Sequence, residues 1–447
     1  MMRIFSRLSL GCILLATGPS CWSQADNAGA QANATNTEDR MVAPAPVSAE
    51  TYPMAYSSDS RANYFEGGLT LGTAHTDNVL GGVSDHPVSD VSYSIWPTLT
   101  FDMTRSRLHS LLSYSPGFTF YQHTSARNQA DQNLSVNLQY RLSPHVTLTV
   151  VDSFHRSSSV LNQPEPLSST PVSGTTDSLV QSVIPPIADQ LNNSGKVEAT
   201  YQFAANGMVG ISGSALDLHY PNPSEVPGLY DSNSRGGAAF YSHRLSGKHY
   251  IGLTYQYQLL RAFPTGFRAE TTTHSALAFY TAYLRPTLSL SLFAGPQYAD
   301  TQTSLVPSSR IWSPGAGASL GWQGPRSVLA VSYSKTIASG GGLIGAVHED
   351  SATISIRRQL TRMWSAGAEG NYLVSKVLNP IDSFSTGGHT ISGSASIRRQ
   401  LGDHLNCEIG YARLHQTYDN LPLISKAPDT NREWVSISYQ FARPLGR

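Results

Sequence analysis

Two Ser–His neighbours, Ser153 with His155 and Ser242 with His243, carry the residue types of nucleophilic hydrolysis. A serine relieved of its proton by an imidazole can attack an ester carbonyl. The stretch GISGS from Gly210 to Ser214 is a degenerate nucleophile-elbow pattern, without the strand-to-helix setting that an elbow needs. Serine is common throughout the chain, so chance Ser–His pairs are expected. The fourteen histidines, among them His75, His109, His219, His274 and His389, are scattered rather than grouped at ligand spacing. No phosphate loop, dinucleotide fingerprint, calcium loop or HExxH motif occurs. These residues predict no catalytic residue, no cofactor and no metal site, and so no enzyme.

A different set of polar residues falls at alternate positions between apolar ones. Glu66, Trp96, Asp102, Arg107, Gln139, Lys196, Glu198, Gln256, Arg357, Glu369, Arg398 and Glu408 are the candidates for lining an interior. Both charge signs occur in similar number, so the wall they predict has no single-sign ring to select ions strongly. Trp96 is the tryptophan whose parity suits stacking against a sugar.

The elements that would position them are strands. Val91, Tyr93, Ile95, Leu99, Phe101 and Met103 form one stripe, with Ser92, Ser94, Thr98, Thr100 and Asp102 between them. Leu134, Val136, Leu138 and Tyr140 form another, interleaved with Ser135, Asn137 and Gln139. This period of two is the signature of a strand with one apolar face. Short turns near residues 104–106, 142–144, 205–207, 246–248, 285–286, 324–325, 361–362 and 402–403 alternate with longer polar loops. Counting between them gives about eighteen strands of ~9–13 residues, the length that crosses a bilayer when tilted.

Composition agrees. Charged residues are 13% of the 447, and Lys+Arg equals Asp+Glu at 30 each. That balance offers no basic footprint for nucleic acid. Of three cysteines, only Cys407 lies outside the N-terminal segment, so an internal disulfide is not expected. Arg3 and Arg7, the apolar run LSLGCILLAT and Ser23-Gln24-Ala25 read as an export signal over residues 1–25. Residues 26–61 read as a flexible periplasmic segment, 62–441 as a transmembrane barrel and 442–447 as a short tail. The expected fold is all-β: an antiparallel barrel in the bacterial outer membrane, with short periplasmic turns and long extracellular loops.

The last stripe, Val435, Ile437, Tyr439 and Phe441, resembles the terminal strand that the barrel-assembly machinery reads, although six residues follow Phe441. The opening GGLTLGTAHTDNVLGG, with Thr76-Asp77-Asn78-Val79 at its first loop, and strand-turn-strand runs such as LQYRLSPHVTLTV resemble β-barrel porins. Those include barrels associated with exopolysaccharide export. The resemblance implies outer-membrane lipid as surroundings and a hydrophilic solute or glycan, polysaccharide included, as cargo for passive diffusion or export. It admits a monomer or a homo-oligomer. A structural barrel acting in adhesion or envelope organisation is the second reading, and a lipid-modifying enzyme the third. The longest loop, about 157–190, ends on Leu179, Val180, Val183 and Ile184 and is the candidate to fold inward and narrow a pore.

Overall fold

The computed structural model describes residues 41, 63–80, 87–125, 128–157, 183, 189–264, 266, 268–285, 287–303, 307–378, 387–419, 421 and 428–445. Eighteen strands follow one another: β1 (Tyr64–Thr76), β2 (Asp90–Thr104), β3 (Leu108–Tyr121), β4 (Gln129–Arg141), β5 (Val146–Ser157), β6 (Gln190–Ala204), β7 (Gly207–His219), β8 (Ser232–Ser246) and β9 (His249–Ala262). The second half is β10 (Ala269–Arg285), β11 (Leu288–Thr303), β12 (Ser309–Gln323), β13 (Ser327–Ser339), β14 (Ala346–Gln359), β15 (Trp364–Val377), β16 (Gly387–Gln400), β17 (Leu405–Tyr418) and β18 (Thr430–Pro444). Each pairs antiparallel with its neighbours in sequence, and β1 pairs with β18, so the sheet closes into a barrel. The closing ladder runs from Tyr64↔Pro444 to Thr76↔Arg432. A closed sheet leaves no free edge, which is the condition for strands to stand in lipid.

Side chains sort by parity. Leu69, Leu71, Tyr93, Ile95, Leu99, Phe101, Ile251, Leu253, Ile354, Ile356, Val435 and Ile437 are exposed on the outside. Thr70, Ser92, Thr254, Thr271, Ser275, Ser291 and Ser438 alternate with such residues and are buried inside. An exposed apolar exterior around a polar interior is the inverse of a soluble sandwich and identifies a barrel of the outer-membrane type.

The short turns are held locally. Ser143 Oγ accepts from the backbone N–H of His145 and Val146 at 3.2 and 3.1 Å. Thr361 Oγ1 does the same for Met363 and Trp364 at 3.3 and 3.1 Å. Side-chain oxygens that bond two or three residues ahead mimic a backbone turn, which is why Ser and Thr recur there.

Three expectations need correction. The strands run from 12 residues in β5 to 17 in β10, longer than bilayer crossing requires, because hairpin pairing continues past the apolar band. The final strand passes Phe441 and ends at Pro444, so the tail is shorter than residues 442–447. Tyr283, whose place near a strand end predicts a ring at the bilayer interface, packs inward instead, with Tyr250 at 5.9 Å between ring centroids.

One ladder is incomplete. β12 pairs with β11 as far as Thr301↔Ser309, and β13 pairs with β14 as far as Ser339↔Ala346. Between β12 and β13 the pairs extend only from Gln323↔Val328 to Ala316↔Lys335. Toward the long-loop end, residues 309–315 therefore pair with β11 alone.

Candidate functional site in the barrel lumen

The wall is built from hydroxyls and amides bonded across strands. Thr271 Oγ1 lies 3.0 Å from Thr301 Oγ1, and Thr281 Oγ1 2.9 Å from Ser291 Oγ. Gln258 Nε2 donates to Ser234 Oγ at 2.8 Å, and Gln297 Nε2 to Ser275 Oγ at 3.2 Å. Charges among the sequence candidates are brought together in pairs. Lys196 Nζ is 3.0 Å from Glu198 on the same strand face. Arg398 donates through Nε and Nη2 to Glu408 Oε2 at 2.9 and 2.7 Å across β16 and β17. Asp102 meets the ring of His109 at 3.4 Å. Glu369 Oε1 accepts from Asn371 Nδ2 at 3.4 Å. Glu66, Gln139 and Arg357 are half-buried in β1, β4 and β14, while Gln256 is exposed in β9. Arg107 departs from expectation: it lies in the β2–β3 turn, exposed and outside the wall.

Two tryptophans lie on inward-parity positions, each laid over a glycine. A Cβ on Gly117 would sit 2.3 Å from the Trp96 ring, and one on Gly410 would sit 2.1 Å from the Trp434 ring. Trp96 is 1% exposed, so it offers no free face to a sugar. Trp434 is only half-buried. Sequence reading passed over it because the last stripe was taken from Val435 onward, although the same alternation turns Trp434 inward.

The long-loop mouth contains an apolar cluster that no single strand pattern announces. Val183, Leu218, Tyr220, Val226, Leu229, Leu343, Val347, Tyr418 and Leu421 pack together, most of them nearly free of solvent. They come from the ends of four different hairpins, and β7–β8 and β17–β18 stand on distant parts of the ring. Tyr230 N–H donates to Gly342 O at 2.8 Å, and Tyr220 Oη donates to Gly341 O at 3.2 Å, tying the β7–β8 loop to the β13–β14 loop. Burial, with the Asp231 carboxylate behind it, pushes the Tyr220 hydroxyl well above its usual range, so it stays a donor. Most of the loop expected to narrow the pore, residues 158–182 and 184–188, lies outside the described residues. Val183 alone is described there and is fully buried in this cluster.

Elsewhere on the long-loop side, His415 and Arg413 donate to Asp429 and hold its carboxyl below the usual carboxylate range against the opposing effect of burial. Their contacts are His415 Nδ1 to Oδ1 at 2.6 Å and Arg413 Nε to Oδ2 at 3.1 Å.

At the short-turn end the interior is less polar than expected. Met208, Phe240, Tyr250 and Phe279 form an inward apolar patch, with Tyr283 and Phe293 against it. Met41 seats its side chain there, and its backbone N–H donates to Gln202 Oε1 at 3.0 Å. Met41 is the one described residue of the stretch 26–61.

One of the two Ser–His pairs is split between the faces of its strand. Ser242 is fully buried while the neighbouring His243 points to the other face, 3.3 Å from Tyr241 Oη. His155 Nδ1 lies 2.9 Å from Asn133 Oδ1. Among the described residues no group of three or more His, Cys, Asp or Glu is arranged to hold a metal.

The chain matches no protein-family model and no curated protein. Solved structures similar to it include Pseudomonas aeruginosa OpdK with vanillate, at 10% identity and a TM-score of 0.40 over 85% of this chain and 99% of that one. The FrpB iron transporter from Neisseria meningitidis gives 11% and 0.44 over 85% of this chain and 69% of its own. Acinetobacter baumannii OccAB4 gives 9% and 0.40 over 86% and 98%. The barrel assignment stands on the closed register of the chain itself.

Proposed function

We propose that the barrel is a passive path for hydrophilic solutes across the outer membrane, for diffusion or export, with polysaccharide among its candidate cargoes. The observation that carries this is the interior: hydroxyls and amides line it, and charges of opposite sign meet there as Lys196–Glu198 and Arg398–Glu408. A polar wall with little net charge offers hydrogen bonds to a neutral solute and only weak preference between ions. The mouth cluster around Tyr220, Val183 and Tyr418 supports a narrow path rather than a wide one.

Purified barrel in planar bilayers and in sugar-loaded liposomes tests this. Discrete, weakly ion-selective conductance and swelling that falls with sugar size are expected. No conductance and no swelling would overturn the pore and favour a structural barrel that acts through its packed loops.

A further inference from the structure

The incomplete β12–β13 ladder points to a second route. Among the described residues, 309–315 have no partner strand on the β13 side, and Pro314, in that stretch, has no N–H to offer one. Where the ladder stops, the strands are sealed by apolar contact. Ile311 of β12 packs against a cluster that joins Leu260 and Ala299 of the inner wall to Ile337, Ala346 and Leu378. Ser313 Oγ, on the same inward-parity face as Ile311, is buried without a hydrogen-bond partner among the described residues.

On the outside, four directly paired residues form an aromatic row across β9 to β12: Tyr257, His274, Tyr298 and Trp312. Their ring centroids are 5.3, 6.2 and 5.1 Å apart in turn. The row ends on Trp312 at the unpaired edge, 71% exposed. Aromatic rows of this kind stand at the bilayer interface, which sets the seam at the level of the outer leaflet. At its foot Tyr333 Oη donates to Asp350 at 3.1 Å, and Lys335 Nζ lies 3.7 Å from the same carboxylate.

A wall held by backbone bonds opens only by breaking them, at high cost in lipid. A seam filled by an apolar cluster opens when another apolar group takes the place of its side chains, an exchange of like for like. We propose that the β12–β13 seam admits the acyl chain of an outer-leaflet lipid, giving the lumen a lateral opening to the membrane. This rests on the lumen being a solute path and adds amphiphiles to what that path handles.

The test reads lipid contact, not conductance, so it fails independently of the pore reading. A photoreactive residue is placed on the inner wall in whole cells, as Ser313→p-benzoylphenylalanine, and on the paired inner wall as Ser319→p-benzoylphenylalanine. Trp312→p-benzoylphenylalanine marks the lipid face, and heat-modifiable gel mobility shows that each variant is folded. A lipid adduct at 313 and 312 but not at 319 is expected. An adduct at 312 alone, equal adducts at 313 and 319, or cross-linking of 313 to a second copy of the chain would overturn the proposal. Cysteine pairs give a second reading. Ser319→Cys with Ser332→Cys spans a formed pair and is expected to cross-link. Ser313→Cys with Ala338→Cys is where the ladder would continue; efficient cross-linking there would show a closed wall and overturn the seam.

Discussion

The Asp77 carboxylate accepts from both the backbone N–H and the side-chain amide of Asn431, at 2.7 and 2.6 Å. Asp77 N–H returns a bond to Asn431 O at 3.1 Å, so the β1–β18 closure continues past the last strand pair. Tyr411 Oη donates to Asn431 Oδ1 at 2.6 Å and brings β17 into the same clasp. Removing the carboxylate leaves two donors short, at about 1–3 kcal/mol. Asp77→Ala is expected to lower the urea midpoint of unfolding, read by heat-modifiable mobility, while Asp77→Asn keeps one acceptor and loses less. An unchanged midpoint in Asp77→Ala would show that strand pairing alone closes the barrel.

The strands were legible because each stripe needs only its own residues. The turns at Ser143 and Thr361 carry their own hydrogen-bond chemistry, so the count of eighteen followed. The mouth was not legible: Val183, Tyr220, Leu343 and Tyr418 meet only after the ring closes and brings distant hairpins together. Nor was the β12–β13 break, since residues 309–315 alternate like any other strand and Pro314 is the single local sign. Alternation in the sequence marks Arg398 and Glu408 only as separate wall charges; their pairing depends on the β16–β17 register, which places them directly opposite each other.

That pair sets the balance of charge at its level of the wall. Glu408→Gln leaves the Arg398 guanidinium without its carboxylate, at a cost of about 1–3 kcal/mol. It also adds one positive charge to the lumen, which raises local anion occupancy. The reversal potential in a salt gradient is expected to move toward anion preference, with Arg398→Gln moving it the other way. Identical potentials in both variants would place the pair off the ion path.

Tyr220 ties two loops across the mouth through Gly341 O. Tyr220→Phe removes that bond and leaves the aromatic packing, so a loss of about 1 kcal/mol and little change in conductance are expected. Tyr220→Ala empties the centre of the cluster, at about 3–5 kcal/mol by analogy with other large-to-small aromatic changes. Single-channel conductance is expected to rise in Tyr220→Ala alone. Equal conductance in wild type and Tyr220→Ala would mean that the cluster lies beside the path and not across it.

Trp96 and Trp434 differ in exposure: Trp96 is buried, and Trp434, also at an inward-parity position, is half-buried. A sugar stacks on an open aromatic face, so only Trp434 is placed to bind one. Gly117→Ala would force a methyl into the Trp96 ring, costing about 1–3 kcal/mol of stability. Trp434→Ala is expected to shorten the blocking events that an added oligosaccharide causes in single-channel records, with folding retained. Trp96→Phe is expected to leave block duration unchanged while lowering the unfolding midpoint. If Trp96→Phe shortened the blocks and Trp434→Ala did not, the ring covered in this structure would be the one that meets the sugar, and the lumen would have to open around it.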